Sequence, residues 1–270
     1  MLNDPQYCNQ QYRLSEIPHH YGKNVHILSN PFLFTMLAKL CDPSTHQPLV
    51  NQLLHTLYGE LVRVVANHEF PQVEATLTSR MIATCPEGEF RGKILDPKTQ
   101  VVCVNLARAG TVPSQICYDA FNYLLDPAGV RQDHISINRK INELEQVIGT
   151  NLGGLKIGGD IHDRFVVIPD PMGATGSTIE SAMKIYGEHG KARRFIAMHL
   201  IVTPEYLRLV TKAFPELHIY ALRLDRGLSP KGALTEIPGA EWEHERGLSE
   251  KQYIVPGGGG LGEVINNAYV

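Results

Sequence analysis

Residues 165–190 read FVVIPDPMGATGSTIESAMKIYGEHG: an apolar run, a loop of small residues behind Asp170, and an amphipathic stretch. Gly173, Ala174, Thr175, Gly176, Ser177 and Thr178 bring two glycines and three hydroxyls, so backbone N–H groups can approach an anion without Cβ obstruction. The run 165–168 reads as a buried strand, and Ile179, Ala182, Met183 and Tyr186 recur at helical spacing. The loop therefore joins a strand's carboxyl end to a helix N-terminus, where open α/β sheets bind ligands and the helix end adds positive partial charge. This is the chemistry of a phosphate cradle, and with no Lys after the glycines it is not a P-loop. A tight strand-to-helix connection, with Asp170 in an Asx turn, would use the same residues, and both readings stay open at this level. Ser177 and Glu180 have capping-box spacing, and Gly190 fits a helix stop.

The elements that must position this loop are legible around it. Short β-rich runs occupy 100–107, 134–138, 164–170, 194–202 and 216–224, and helical patterns cover 177–189 and 204–214. Near-continuous apolar strands alternating with helices imply one α/β domain, a mostly parallel sheet flanked by helices on both faces. Two helices precede it. The first starts with Asn30 as cap and Pro31 at the first position, with Phe32, Met36 and Leu40 four apart. The second covers 48–70, with Leu53, Leu54, Leu57, Leu61 and Val64 on one face. Residues 1–24 are polar and aperiodic, an N-terminal arm of the kind that wraps a partner subunit, and 25–270 form the domain.

Composition narrows the function classes. The chain has 270 residues, 43% hydrophobic and 20% charged, with a formal net charge of −3. That balance offers no global attraction to nucleic acid or an anionic membrane. Five widely spread cysteines (Cys8, Cys41, Cys85, Cys103, Cys117) form no CxxC pair, which favours a reducing, cytoplasmic setting. No basic and apolar leader opens the sequence, and no apolar run approaches the roughly 18 residues of a membrane span. Twelve histidines are present, none at HExxH spacing.

The string VVIPDPMGATGST resembles the phosphoribosyl-diphosphate (PRPP) signature of type I phosphoribosyltransferases, in the DPMxATGGS form of the uracil phosphoribosyltransferases. Asp170 and Pro171 stand where most relatives have two adjacent acids, and Ser177 replaces the motif's second Gly. VVCVNLARAG resembles the strand ending in the family's RAG motif, TCPEGEFRG (84–92) is similar to its TPTG hairpin, and ISINRK (135–140) matches the strand entering its mobile loop. LHIYALRLDRGLS and QYIVPGGGGLGE resemble its penultimate strand and its C-terminal base-binding segment, YIIPGLGDxGD.

The resemblance implies transfer of phosphoribose from PRPP to uracil, giving uridine monophosphate (UMP) and diphosphate, with Mg2+ and a homo-oligomer. It assigns Asp170 to the ribose hydroxyls and the developing sugar cation, and Arg108, with Ala109 and Gly110, to the diphosphate. These two side chains would be catalytic. Pro171, Met172, Gly173, Ala174, Thr175, Gly176, Ser177 and Thr178 would complete the PRPP site together with Arg139. Ile254 and Gly259 would contact uracil through their backbone, with Tyr253 and Gly260 beside them and Met172 and Ala174 lining the pocket. The residues alone leave other roles open: Arg108 as a strand-end side chain snorkelling to solvent, 139–162 as a mobile cover or a solvated hairpin, and the glycine run as a flexible linker.

Two departures bear on function. Gly260 stands where the family has its first Asp, with Glu263 at the second, and residues 227–250 are longer than the usual connection, repeating RGLS at 226–229 and 246–249 and holding the only tryptophan, Trp242. They keep two alternatives in view: a non-catalytic PRPP- or nucleotide-binding regulator on the same fold, and a transferase for another nucleobase.

Overall fold

The structure, a computed structural model, describes residues 4–141 and 147–268, with side chains described outside 138–152. Helix α1 (Pro5–Cys8) is capped by the Asp4 carboxylate on Gln6 N at 2.9 Å. Strand β1 (Val25–Ile27), α2 (Pro31–Leu40) and α3 (Leu49–Glu69) follow, then an antiparallel hairpin of β2 (Gln72–Thr78) and β3 (Glu89–Leu95). The main sheet is built by β4 (Val101–Ala107), α4 (Thr111–Leu124), β5 (Val130–Ile141), β6 (Val147–Lys156), β7 (Phe165–Pro169), β8 (Met172–Gly173), α5 (Ser177–Tyr186), β9 (Arg194–Val202), α6 (Pro204–Ala213) and β10 (Leu217–Leu224). Two short helices, α7 (Lys231–Thr235) and α8 (Leu261–Asn266), end the chain.

The strand order is β1-β10-β9-β7-β4-β5-β6, with β8 also on β9. Pairing is parallel throughout except between β5 and β6. Along β4, Val101 and Cys103 join α3 and α4 (Leu54, Leu57, Leu61, Phe121) on one face, while Val102 and Val104 join α5 and α6 (Ile179, Ala182, Tyr186, Tyr206, Leu207) on the other. Because both faces are covered, a strand must be apolar at successive positions, which is why its sequence reads as a run and not an alternation.

The expected elements appear with boundaries shifted by a few residues, and three expectations change. The buried stripe of α2 is Leu33, Leu37 and Leu40, whereas Phe32 is 56% exposed: two stripes share the helical period, and packing selects one. Ser177 does not cap α5. Gly176 holds that position in the left-handed region (φ +89°), Ser177 is the first helical residue, and Glu180 pairs with Lys184 instead. The helix also ends before Gly190, with Gly187 as its C-terminal cap. The arm packs on its own chain: Tyr7 meets Phe90 edge-on, Glu16 bridges to Leu28, and buried Tyr21 donates to Glu245. The RGLS copies are partners in one substructure, since Leu228 N donates to the Arg246 carbonyl at 3.1 Å and Arg246 N to Ser229 Oγ at 2.9 Å. A mobile cover over 139–162 falls partly outside the described residues; the backbone on either side is the β5–β6 pair.

At the amino-terminal ends of β9 and β10, Glu69 closes α3 with a side chain 4% exposed. Its carboxylate receives His218 Nδ1 at 2.7 Å, the Tyr220 hydroxyl at 2.5 Å and Arg194 Nη1 at 3.1 Å. Burial pulls its pKa upward, but the hydrogen bonds from His218 and Tyr220 and the positive partners prevail and hold it at about 2. A carboxylate held down in this way contributes stability above its unfolded pKa and loses it as pH falls through the folded value. Stability should therefore drop between pH 4.5 and about 2 in the native chain. Glu69→Gln should flatten that acid limb and cost about 1–3 kcal/mol at neutral pH, read by urea unfolding at a series of pH values.

Candidate active site

The small-residue loop leaves β7 at the sheet's carboxyl edge and is held from behind by β9 and α6. Asp170 N donates to the Met198 carbonyl at 3.0 Å, and β8 pairs with β9 through Met172 opposite Ile201 and Gly173 opposite Val202. Thr203 caps α6 and faces the loop: its N donates to Gly173 O at 3.1 Å and its hydroxyl to Ala174 O at 2.7 Å. A Cβ on Gly173 would lie 2.9 Å from Val202 Cγ1 and 3.2 Å from the Tyr206 ring, and one on Gly176 2.8 Å from Val210 Cγ2. The glycines are needed on the packed side of the loop as much as on its open side. Thr175 and Ser177 hydroxyls lie 3.1 Å apart at the N-terminus of α5.

Fully buried His199 stands under Asp170. Its Nδ1 lies 2.6 Å from the Asp170 carbonyl oxygen, which can only accept, so Nδ1 carries the proton; Nε2 then accepts from the Tyr206 hydroxyl at 2.6 Å. Burial pushes the imidazole down to about 4, against the opposing effect of the Asp170 carbonyl, so the ring is neutral at physiological pH. Half-buried Asp170 turns a carboxylate oxygen toward Met172 N at 3.4 Å.

The Arg108 loop follows β4, beside β7 in the sheet. The Ala107–Arg108 peptide is cis, and Gly110 packs so tightly that a Cβ would come 2.8 Å from Leu106 O and 2.9 Å from Pro169 O. That approach locks the loop against the end of β7, next to Asp170. The Arg108 side chain is exposed, with Nη1 donating to Ala268 O at 3.2 Å.

The C-terminal segment is anchored to the end of β10. Arg223 grips Asp225 with two bonds, Nε to Oδ1 at 2.6 Å and Nη2 to Oδ2 at 2.8 Å. Asp225 Oδ2 also accepts from Gly257 N at 2.7 Å, and Arg223 Nη2 donates to Gly257 O at 2.8 Å. Gly257 and Gly259 have φ of +65° and +71°, and a Cβ at Gly257 would strike the Ile254 carbonyl. The glycine run is thus a fixed turn and not a flexible linker. Ile254 is buried, Tyr253 is 53% exposed, and a Cβ at Gly259 would meet open space. Glu263 folds back so that a Cβ at Gly260 would lie 2.6 Å from its Oε2, placing a carboxylate beside the position that lacks the family's Asp. A Cβ on Gly262 of α8 would lie 3.4 Å from Ala109 Cβ, and Met172 and Ala174 share one apolar cluster with Ile254 and Leu261.

Three of the expected groups therefore adjoin one another: Asp170 with 171–178, Arg108 with Ala109 and Gly110, and the turn at 254–260. Arg139 lies on β5, and its side chain falls outside the described residues. Sequence reasoning missed the supports: His199, Thr203, Tyr206, Arg223 and Asp225. Of these, only Thr203-Pro204, a cap before a first-position proline, carried a readable signal.

A parallel sheet whose carboxyl edge carries a glycine-built loop, an arginine loop and a separate C-terminal turn is a type I phosphoribosyltransferase-like architecture. The chain belongs to the uracil phosphoribosyltransferase family: the family model "UPRTase: Uracil phosphoribosyltransferase" matches residues 26–240. Curated relatives bearing that name include one from Thermosipho africanus, 36% identical over 80% of this chain and 93% of the relative, and one from Campylobacter curvus, 28% identical over 91% and 99%. The fold is also that of a solved Aquifex aeolicus protein (TM-score 0.68, 22% identity, 91% of this chain and 99% of that one). The family match stops before the 254–260 turn.

Two outcomes test the loop's support. Gly176→Ala must place a Cβ against Val210 at a positive φ and should cost about 1–3 kcal/mol, whereas Gly59→Ala in α3, where a Cβ meets nothing within 4 Å, should be neutral or stabilising in the same thermal-unfolding assay. Nitrogen-15 spectra should show His199 as the neutral Nδ1–H tautomer until pH nears about 4. Because the unfolded chain protonates this histidine near 6.5, its contribution to stability should fall as pH drops from 6.5 toward about 4.

Proposed function

We propose that this chain transfers the phosphoribosyl group of PRPP to uracil, releasing diphosphate and forming UMP, in the cytoplasm and in pyrimidine salvage. The observation that carries the reading is the junction of the Asp170 loop with the Arg108 loop across Gly110, with α8, which follows the C-terminal turn, seated against Ala109 through Gly262. In the reaction the bond from the anomeric carbon to the diphosphate oxygen breaks and a bond to uracil nitrogen forms, through a state with cationic sugar character. The 174–178 loop, with backbone donors at the end of α5, would hold the 5-phosphate and so fix the sugar. Arg108, exposed and bound only through Nη1 to a carbonyl among its described contacts, has donors available for the departing diphosphate. The Asp170 carboxylate would accept from the ribose hydroxyls and offset the sugar's developing charge. Backbone groups of Ile254 and Gly259 would read the alternating donor and acceptor edge of uracil, and Met172 and Ala174 would wall its face.

Among residues 107–110 and 170–178, Asp170 is the only carboxylate. This donor set fits Mg2+ held largely by substrate oxygens and water, with Asp170 as its protein partner; the ion would supply charge neutralisation for the diphosphate. Five free cysteines support the reducing compartment, and no helix among the described residues is long and apolar enough to cross a membrane. Exposed Leu77, Met81, Ile82 and Phe90 on the β2–β3 hairpin support assembly with a second copy.

With radiolabelled uracil, PRPP and Mg2+, the enzyme should form UMP and leave cytosine, hypoxanthine and orotate unused. Asp170→Asn should lower kcat by at least 100-fold while leaving the unfolding midpoint nearly unchanged. Turnover of another base would move specificity, and PRPP binding without turnover of any base would make the chain a regulator.

A further inference from the structure

A cluster of imidazoles and carboxylates lies toward the β1 edge of the sheet, three strands across from β7 and the Asp170 loop. His26 on β1 sits in register with Tyr220 on β10, and the C-terminal turn of α3 brings His68 and Glu69 to the same place. The register runs from Pro169 at the end of β7 through Met198 and Tyr220 to His26, three strand spacings or about 14 Å, so this cluster and the transferase site are separate. One ring nitrogen of His26, one of His68 and a carboxylate oxygen of Glu69 lie within 4.8 Å of one another.

Two observations single it out from an ordinary polar patch. His26, 7% exposed, has Nδ1 at 2.6 Å from Glu16 Oε1, a carboxylate that can only accept there, so the neutral ring keeps its lone pair on Nε2. That Nε2 is buried and meets no hydrogen-bond partner among the described residues. A buried acceptor without a partner costs about 1–3 kcal/mol, unless an ion or a water satisfies it. The imidazole whose second nitrogen is held by a carboxylate is also the arrangement that orients histidine ligands on metals. The charges point the same way. Glu16 and Glu69 bring two negative charges, Arg194 brings one positive charge 3.1 Å from Glu69, and a divalent cation would offset the excess. His68, with its side chain 35% exposed, opens the cluster to solvent and gives an ion a way in.

We propose that His26, His68 and Glu69 form a binding site for a divalent transition ion of the zinc type, with water completing its shell. Two imidazoles and one carboxylate suit that borderline ion better than magnesium or calcium, which prefer all-oxygen shells. The ligands close from 4.8 Å apart to the shorter separations of a metal shell by movement of the solvent-exposed His68 ring. The bound ion would tie β1 to the end of α3, and so fasten the N-terminal segment to the sheet.

The chelator-treated, desalted full-length protein should take up one zinc ion per chain in calorimetry and give the intense visible bands of a tetrahedral site with cobalt(II). Zinc should also raise its unfolding midpoint. His68→Gln should abolish that uptake and both signatures, and Glu16→Gln, which removes only the orienting carboxylate, should weaken zinc about 10- to 100-fold. Each variant should keep UMP synthesis with Mg2+, which also reports that it folds. Failure of the wild-type chain to bind zinc or cobalt, or equal uptake by wild type and both variants, as expected for an ion on the free cysteines, would overturn the proposal without touching the transferase reading.

Discussion

The molecule depends on the small-residue loop after β7, whose proposed role in holding an anion requires an empty outer face. A loop whose backbone N–H groups point at a ligand cannot be held by those groups, so it has to be held from behind through its carbonyls. His199 and Thr203 do this: one donates to the Asp170 carbonyl, the other to those of Gly173 and Ala174. His199 can serve only as a neutral ring, because an imidazolium at a fully buried site would lose its hydration and find one carbonyl and one hydroxyl in return. The low pKa that burial imposes is therefore part of what keeps the loop in place across the physiological range.

The same logic governs the rest of the polar interior. Buried carboxylates are used as anchors for backbone segments that have no regular structure of their own. Asp225 holds Gly257, Glu205 accepts from Gly247 at 3.0 Å, and Glu245, completely buried, accepts from Tyr21, Gly239 and Arg226. Asp133 receives Arg131, Gly158 and the Tyr186 hydroxyl, which ties β5 to the C-terminal end of α5. The 227–250 segment is therefore a packed part of the domain: Trp242 donates to Pro204 O at 3.1 Å and meets Tyr21 edge-on, so the insertion and the N-terminal arm secure each other over the start of α6. The fully buried carboxylates Asp225, Glu245 and Asp133 each pair with an arginine, Arg223, Arg226 and Arg131, as burial of a charge requires.

This division explains what could be read in the sequence. Central strands announce themselves because burial on both faces forces consecutive apolar residues, and the runs at 194–202 and 216–224 needed almost no adjustment. The loop at 173–178 was legible as a strand-to-helix junction because an apolar run before it and helical spacing after it bound a stretch of small residues. Strand β1 is three residues long, too short to show a period, and exists because β10 offers it an edge. Gly176 as a helix cap was hidden by Ser177, whose spacing from Glu180 mimics a capping box; the packing of Val210 against the loop decided between them. His199 was indistinguishable from any histidine in an apolar strand, since its meaning comes from Asp170 and Tyr206, 29 and 7 residues away.

The C-terminal turn keeps its conformation without the family's side chain at 260. If uracil is read by the backbone of 254–259, what must persist is a conformation, and that is set by glycines with φ of +65° and +71° and by the Arg223–Asp225 clamp. Neither requirement involves residue 260. A carboxylate still reaches that place because one turn of α8 carries Glu263 back over Gly260, and a Cβ at 260 would collide with it. A side chain at 260 would require the flexible Glu263 carboxylate to swing aside, since its Oε2 occupies the space that a Cβ there would enter. An insertion just upstream is compatible with this site because Asp225 and Gly227 fix the turn from the β10 side, Gly227 N donating to Val255 O at 3.0 Å, whatever path the chain takes between them.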